Sequence, residues 1–123
     1  MEKTVLVVDD STTIRQVISF CLKEAGYQVI EAVDGVDALS KCANNQIDLL
    51  LTDLHMPNMS GFELVKEVRA SNKHKFIPIL VISTESQIAT KEEGKSIGVT
   101  GWFVKPFEPE QLIKVIKKVL PVS

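Results

Sequence analysis

The stretch VLVVDDST, residues 5–12, decides the fold because it joins a buried strand directly to an acidic loop. Four apolar residues in a row are typical of a strand that is covered on both faces, as in a parallel sheet. Asp9 and Asp10 follow at once, and a helical pattern begins at Ser11. Two adjacent carboxylates repel each other, and any loss of hydration makes the repulsion worse. Water or a cation must therefore relieve this repulsion, and the rest of the sequence has to show why the chain places the two charges here.

Four further apolar runs have the length of buried strands, and helix-length segments separate them. The strands are predicted at Thr4–Val8, Gln28–Ala32, Asp48–Thr52, Ile79–Ser83 and Gly101–Val104. The helices are predicted at Ser11–Ala25, Val36–Asn44, Phe62–Ser71, Ser86–Ile97 and from Glu108 to just before Pro121. The fourth helix has the weakest pattern, since Gly94 costs about 1 kcal/mol relative to alanine, but a parallel sheet needs a crossover there.

The strict alternation of strands and helices predicts the fold class. It favours an α/β doubly wound sandwich, with five helices around a five-stranded parallel sheet in the flavodoxin-like order 2-1-3-4-5. Ligands of such sheets bind beyond the carboxyl ends of the strands, where the winding reverses between the first and third strands. Asp9 and Asp10 lie at the end of the first strand, and Asp53 lies at the end of the third.

Three carboxylates at this edge have the chemistry of a site for a hard cation. Mg²⁺ takes oxygen ligands and keeps several water molecules, so Asp9, Asp10 and Asp53 suit it. The fourth strand adds Ser83 at the same edge, and the fifth adds Lys105. Carboxylates, a metal ion, a hydroxyl and an amine together predict a site for an anion with several oxygens. A phosphoryl group is the obvious candidate.

Length and composition bound the class of protein. The chain has 123 residues, of which 45% are hydrophobic and 24% charged, with a formal net charge of −2. These values predict one soluble globular domain without a nucleic-acid-binding surface. The acidic start and the short apolar run behind it argue against a signal peptide or a membrane span, so a cytoplasmic location is expected. Cys21 and Cys42 lie among apolar residues without CxxC spacing and are predicted to be reduced core thiols.

The chain resembles the receiver domains of bacterial two-component response regulators, in the stand-alone, chemotaxis CheY-like form. The resemblance is carried by VLVVDDS at residues 5–11, LLLTDLHMPNMSGFEL at 49–64, PILVIST at 78–84 and GWFVKPF at 101–107. Each motif falls at a matching strand end, so the joint signal is specific although DD or KPF alone would be weak. Residues 1–123 are therefore expected to form a single receiver domain with no output domain.

The resemblance implies a role for each residue of the acidic edge. Asp53 would be the phosphoacceptor, forming an aspartyl phosphate with a histidine kinase as donor. Asp10 would bind Mg²⁺ directly and Asp9 mainly through water, with the backbone carbonyl of His55 as a further ligand. Lys105 would pair with the phosphoryl oxygens. The Lys105–Pro106 peptide bond is expected to be cis.

The resemblance also implies switch residues and residues that set the lifetime of the phosphoryl group. Ser83 would hydrogen-bond to the phosphoryl group, and Trp102 stands where the family usually has a tyrosine or phenylalanine switch residue. Trp102 is therefore expected either to be a partly buried strand residue or to move into the space that Ser83 vacates. His55 and Glu85 are expected to set the phosphoryl lifetime, with the His55 imidazole not acting as a metal ligand. His74, in the polar stretch SNKHK, is expected on the surface.

The implied partners are a sensor histidine kinase, a phosphatase and a protein target such as a flagellar motor switch protein. The protein is expected to be a monomer without nucleic-acid or membrane partners. A phosphorelay intermediate or phosphate sink is the alternative within the class. A Mg²⁺-dependent phosphohydrolase with an aspartyl intermediate is the alternative outside it, but such enzymes resemble one another in a second aspartate where His55 stands. A flavodoxin-like cofactor binder is disfavoured, because Asp9 and Asp10 would repel the cofactor phosphate.

Simpler roles stay open for each residue taken alone. Asp10 and Ser11 could cap the first helix, Asp53 could be a solvated loop acid, Ser83 could be satisfied by the backbone, and Lys105 could be an exposed charge at a strand end. Only the coincidence of all these residues at neighbouring strand ends favours the phosphoryl site.

Overall fold

The computed structural model describes residues 2–122, and in this range five strands alternate with five helices. The strands are β1 Thr4–Val8, β2 Gln28–Ala32, β3 Leu49–Asp53, β4 Ile79–Ser83 and β5 Gly101–Val104. The helices are α1 Thr12–Glu24, α2 Gly35–Asn44, α3 Gly61–Ala70, α4 Ile88–Ser96 and α5 Pro109–Val119. All strand pairs are parallel, and the order β2-β1-β3-β4-β5 confirms the predicted doubly wound sheet.

The sheet is covered on both faces by two apolar clusters. Alternate residues of β1 divide between them, with Val5 and Val7 in one cluster and Leu6 and Val8 in the other. The first cluster includes buried residues of α1 and α5, and the second includes buried residues of α2 and α3. Every residue of β3 and β4 is buried. This explains why the central strands are continuous apolar runs rather than alternating patterns.

The ends of three elements differ from the prediction in ways that bear on function. Strand β3 ends at Asp53 instead of Thr52, so this aspartate belongs to the sheet and not to the loop. Helix α1 begins after Ser11, whose hydroxyl accepts the N–H of Ile14 and caps the helix. Helix α4 is shorter than predicted and begins after Gln87 without a side-chain cap.

Gly94 explains the weak pattern of α4. It is the one buried residue that α4 contributes. A Cβ atom at Gly94 would lie 3.0 Å from Trp102 and 3.2 Å from Phe62. These two rings form an edge-to-face pair with centroids 6.0 Å apart. The glycine therefore lets the helix backbone approach the aromatic pair closely, at the cost of helix propensity.

His74 is buried, so the prediction of a surface position is wrong. Its side chain is 2% exposed, and its Nε2 accepts the backbone N–H of Ile47 at 3.0 Å. The turn before β4 folds back and carries the imidazole against the segment that precedes β3. The polar neighbours of His74 in sequence are exposed, which is why the local pattern is misleading.

The two cysteines are free thiols. Cys42 is buried in the cluster beneath α2, as expected, whereas Cys21 is only partly buried on α1. Within residues 2–122 no helix combines the length and the hydropathy needed to cross a membrane.

Candidate functional site

Three carboxylates meet at the carboxyl ends of β1 and β3. Asp9, Asp10 and Asp53 each offer an oxygen atom, and these oxygens all lie within 4.8 Å of one another. Asp9 is 2% exposed and Asp53 8%, while Asp10 is exposed to solvent. The strand order puts these residues together, because β1 and β3 are neighbours in the sheet. We call these three residues the acidic cluster.

Lys105 supplies the positive charge that the acidic cluster needs. It follows β5, and its Nζ donates to Asp9 Oδ2 at 3.1 Å and to Asp53 Oδ2 at 3.0 Å. The lysine reaches across β3 and β4 to do so, since β5 is the far edge of the sheet. The Lys105–Pro106 peptide bond is cis, as the resemblance implies. The three carboxylates and this single ammonium group leave a net charge of −2 when all are ionised.

Each backbone and carboxylate polar atom of Asp9 has a partner. Its backbone N–H donates to the carbonyl of Ala32 at 3.2 Å, and its carbonyl accepts from Arg15 Nη1 at 2.6 Å. Asp9 Oδ1 accepts the N–H of Ser11 at 2.8 Å, and Oδ2 accepts from Lys105. Asp9 is therefore a fixed element of the site, whereas Asp10 beside it faces water.

The pKa values of the buried pair follow from burial and hydrogen bonding. Burial raises the pKa of Asp9, and the hydrogen bonds from Ser11 and Lys105 only partly oppose this effect. Burial alone would lower the pKa of Lys105, but its hydrogen bonds to Asp53 and Asp9 outweigh burial and raise that pKa. The lysine is thus held as a cation, while Asp9 carries an unfavourable negative charge that a further cation would stabilise.

The donors of the acidic cluster fit Mg²⁺ better than a transition metal. They are carboxylate oxygens, and they include no sulfur or imidazole nitrogen. Mg²⁺ keeps several water molecules, and the exposed Asp10 leaves the cluster open to them on one side.

The β3–α3 turn positions Asp53 through backbone contacts. Asp53 Oδ1 accepts the N–H of Leu54 at 2.7 Å, and its Oδ2 accepts from Lys105, so both carboxylate oxygens are oriented. The N–H of Gly61 donates to the carbonyl of Leu54, and a Cβ atom at Gly61 would overlap the Asp53 carbonyl oxygen. Gly61 is therefore required for the close approach of α3 to the end of β3.

Ser83, Glu85 and Trp102 form a chain of hydrogen bonds beside the acidic cluster. The hydroxyl oxygen of the buried Ser83 accepts the N–H of Glu85 at 3.1 Å. The carbonyl of Glu85 accepts the indole N–H of Trp102 at 2.9 Å. The Ser83 hydroxyl keeps its own hydrogen for another acceptor. Trp102 is partly buried on β5, so the first of the two expectations for this residue is met in this structure.

The two residues expected to set the phosphoryl lifetime lie on separate loops. His55 is exposed, and its imidazole makes no hydrogen bond to the residues between 2 and 122. The Glu85 carboxylate accepts the backbone N–H of Gln87 at 3.0 Å, so this carboxylate is hydrogen-bonded within its own loop. Neither side chain is bonded to Asp53 in this state.

One concave surface borders the site, and a second lies away from it. A cleft of about 370 Å³ is lined by Ile14, Thr84, Lys105, Pro106 and Phe107, and it opens beside the acidic cluster. A larger groove of about 540 Å³ lies between α1 and α5 and contains none of the predicted site residues. Chemistry rather than size therefore identifies the site.

Sequence reasoning missed two contributors to the site, Arg15 and Gly61. A signal for Gly61 was present, because it closes the Met-Pro-Asn turn after Asp53. The helical period places Arg15 one turn beyond Ser11 and so near the loop of Asp9. The bond to the Asp9 carbonyl depends on side-chain geometry and could not be read from the spacing.

Comparisons in sequence and in structure point to one family. Residues 5–117 match the response regulator receiver domain. The chain is 45% identical over 117 residues to the chemotaxis protein CheY1 of Helicobacter pylori, covering 94% of both chains. It is 41% identical to the chemotaxis protein CheY homolog of Campylobacter jejuni, covering 94% of this chain and 90% of that one. The chemotaxis protein CheY4 of Vibrio cholerae has the same fold, with a TM-score of 0.93, 48% identity and coverage of 98% and 100%.

Proposed function

The chain belongs to the response regulator receiver domain family, and from this premise we propose that it is a chemotaxis switch operated by phosphorylation of Asp53. CheY-like receiver domains are signalling proteins and not classical enzymes. The observation that carries the proposal is the acidic cluster, with Lys105 bonded to both Asp9 and Asp53.

The proposed step is attack by an Asp53 carboxylate oxygen on the phosphorus atom of a phosphohistidine in a sensor kinase. The new O–P bond forms as the P–N bond breaks, and the imidazole nitrogen leaves with the electron pair and takes up a proton. The aspartyl phosphate is a mixed anhydride, which water can hydrolyse. Attack requires that the Asp53 carboxylate be oriented toward the phosphorus atom, and the hydrogen bonds from the Leu54 N–H and Lys105 to its two oxygens support this proposal.

Charge neutralisation is the main task of the surrounding residues. Mg²⁺ held by Asp9, Asp10, Asp53 and the carbonyl of His55 would supply positive charge to the phosphoryl oxygens. The Lys105 ammonium group shares its hydrogen bonds between Asp9 and Asp53, so it can transfer one of them to a phosphoryl oxygen.

The output of the switch is proposed to run through the chain Ser83–Glu85–Trp102. If the Ser83 hydroxyl turns or moves to donate to a phosphoryl oxygen, the Thr84–Glu85 peptide group, whose N–H it accepts, is expected to shift with it. The Trp102 indole donates to the carbonyl of Glu85, in the next peptide group, so a shift of Glu85 is expected to change the position of the indole too. The affected surface consists of α4, β5 and α5, and we propose it as the target-binding face.

The lifetime of the phosphoryl group is proposed to depend on His55 and Glu85. Both lie on loops that border Asp53 and β4, and His55 is open to solvent. Water must cross this border to reach the aspartyl phosphate. Side chains there can admit or exclude it.

Partners are proposed from the names of the matched relatives, which are chemotaxis proteins. They are a sensor histidine kinase as donor, a flagellar motor switch protein as target and a phosphatase. We propose a cytoplasmic location and a monomeric state with residues 1–123 as one receiver domain.

The test is phosphorylation without the kinase. Purified protein is incubated with acetyl phosphate, with and without Mg²⁺, and intact mass is followed for wild type and Asp53→Asn. We expect a labile phosphoryl adduct in wild type that depends on Mg²⁺.

The matched control is Asp48→Asn, because Asp48 is an aspartate that precedes β3 at the opposite end of the strand. It should be phosphorylated like wild type. An adduct that persists in Asp53→Asn, or that forms equally without Mg²⁺, would contradict the proposal.

A further inference from the structure

Arg15 is a second cation at the acidic cluster, and its role is not covered by the proposed chemistry. Its side chain is only 12% exposed, although it lies on α1 near the edge of the sheet. The guanidinium Nη1 donates to the Asp9 carbonyl at 2.6 Å, and Nε donates to Glu31 Oε1 at 3.3 Å. Arg15 therefore binds a backbone atom of the cluster and not one of its carboxylates.

The Asp9 carbonyl is a sensitive point because it belongs to the peptide that joins Asp9 to Asp10. A peptide group is planar, so fixing its oxygen fixes the direction in which the chain leaves Asp9. The N–H of Asp9 is already held by Ala32 of β2. With both atoms held, the Cα atom of Asp10 has a defined position, although its carboxylate faces water.

Glu31 orients the arginine. It lies on β2 opposite Val7 of β1, one residue before Ala32. A guanidinium group presents its donors in a rigid planar fork, so one bond to Glu31 and another to Asp9 set its plane. Glu31 also balances the charge of Arg15, which reduces its tendency to pair directly with the three aspartates and compete with a metal ion.

We propose that Arg15 is a positioning residue for the cation site: it holds Asp10 in place through the Asp9 carbonyl, and Glu31 holds Arg15. The inference rests on the proposed function, since it assumes that the acidic cluster binds a divalent cation. Its consequence is that a residue making no contact with the cation sets the affinity for it. Residues that orient metal ligands in this way typically change affinity by about 10- to 100-fold when they are replaced.

The chain offers a matched control in Arg69. Its guanidinium also donates to backbone carbonyls, those of Gly98, Ile77 and Lys75, but these belong to the loops around β4 and α4. Arg69→Gln removes an arginine with the same kind of contacts and leaves the acidic cluster intact. A loss of stability common to both variants can thus be separated from an effect on the cation.

The experiment is a titration with Mn²⁺, followed by the electron paramagnetic resonance signal of the free ion. Wild type, Arg15→Gln, Arg15→Lys, Glu31→Gln and Arg69→Gln are compared, and thermal unfolding is measured for each. We expect the Kd for Mn²⁺ to rise about tenfold in Arg15→Gln and less in Glu31→Gln. Arg15→Lys keeps the charge but not the fork, so its Kd should be intermediate. Arg69→Gln should unfold at a lower temperature with a Kd within about twofold of wild type.

Three outcomes would overturn the inference, and they are distinguishable. If wild type binds Mn²⁺ and folded Arg15→Gln binds it equally well, the positioning role is wrong and the proposed function stands. If wild type binds no Mn²⁺, the cation site itself is wrong and the inference fails with it. A Kd that rises as much in Arg69→Gln as in Arg15→Gln would also contradict the inference, because the effect would then be one of general stability.

Discussion

The acidic cluster and the loop from β4 to α4 both lie at the carboxyl ends of the strands, yet the cluster and the α4 segment, residues 84–96, are built in opposite ways. Around Asp9 each backbone and carboxylate polar atom has a partner, and the central strands beneath are fully buried. Helix α4 has one buried residue, Gly94, and no side-chain cap at Gln87. One hydrogen bond from the Glu85 N–H joins the β4–α4 loop to Ser83, and one to the Glu85 carbonyl joins it to Trp102.

From this difference we infer that the acidic cluster is rigid and that the α4 segment is the part that moves. Buried charge must be held in fixed contacts, because each unpaired group costs free energy. A segment that responds to a signal needs two arrangements of similar free energy, which is expected where few apolar contacts hold it. The acidic cluster thus lies near the start of the helix that has the fewest buried residues, and we expect this helix to be displaced first.

The largest difference is expected between alanine substitutions at the two glycines of these regions, Gly61 and Gly94. In Gly61→Ala the new methyl group meets backbone atoms of Asp53 and Leu54, which cannot move without disturbing β3. We expect a loss of about 3 kcal/mol in the free energy of unfolding, measured with urea. In Gly94→Ala the new methyl group meets the Trp102 and Phe62 rings, which can shift, and the helix propensity of α4 improves. We expect a change below about 1 kcal/mol. Equal losses at the two sites would contradict the comparison.

Sensitivity to acid is expected at the opposite edge of the sheet, where His74 is buried. Burial and the nearby Lys73 lower the pKa of His74, and Asp48 opposes them. The unfolded chain therefore binds more protons than the folded chain below about pH 6.5, and stability falls as the pH falls through this range, by at most about 1.4 kcal/mol per unit.

The two histidines provide the test of this acid sensitivity. In His74→Gln the amide oxygen can still accept the Ile47 N–H but does not titrate, so the slope of stability against pH should flatten between pH 7 and 5. His55→Gln is the matched control, because it replaces an exposed histidine whose imidazole makes no hydrogen bond within residues 2–122. Urea unfolding at several pH values measures both slopes, and a slope that survives in His74→Gln would contradict the assignment.

Trp102→Phe tests how far the output segment is independent of the acidic cluster. The phenyl ring cannot donate to the Glu85 carbonyl, so the variant should lose about 1 kcal/mol of stability. Hydrogen exchange should become faster in the β4–α4 loop, and the affinity of the acidic cluster for Mn²⁺ should stay the same. A weaker affinity would show that the two regions are coupled even without phosphorylation.

The smallest effect is expected from giving α4 the cap that α1 has. Ser11 caps α1, while Gln87 makes no side-chain hydrogen bond at the start of α4. Gln87→Ser should stabilise the protein by about 0.5–1 kcal/mol, and protection from hydrogen exchange should rise in α4 alone. Ser11→Ala is the reciprocal variant and should lose a similar amount in α1. Protection that rises throughout the sheet would mean that α4 is not a separate unit.

Much of the fold and of the acidic cluster could be predicted from the sequence, because both depend on periodic patterns of apolar and polar residues. The strand order and the meeting of Asp9, Asp10 and Asp53 follow from alternating elements and from polar residues at strand ends. The burial of His74 could not be predicted, since it depends on a turn that folds back onto the distant Ile47.

The bond between Arg15 and the Asp9 carbonyl was beyond prediction for a similar reason. It depends on the rotamer of a long side chain and on the exact path of the loop. Spacing along the chain specifies neither. The sequence identifies Gly94 only as a helix-weakening residue, because its close approach to Trp102 joins two elements in space.

The most direct measurement is hydrogen–deuterium exchange of wild type and Asp53→Asn, each with acetyl phosphate and Mg²⁺. We predict that phosphorylation of wild type changes exchange in the β4–α4 loop, α4 and β5, while β1 and the core of β3 stay protected. Asp53→Asn should show none of these changes. A phosphorylated protein whose α4 segment exchanges as before, or whose changes are spread evenly over the sheet, would contradict the division into a rigid site and a movable output.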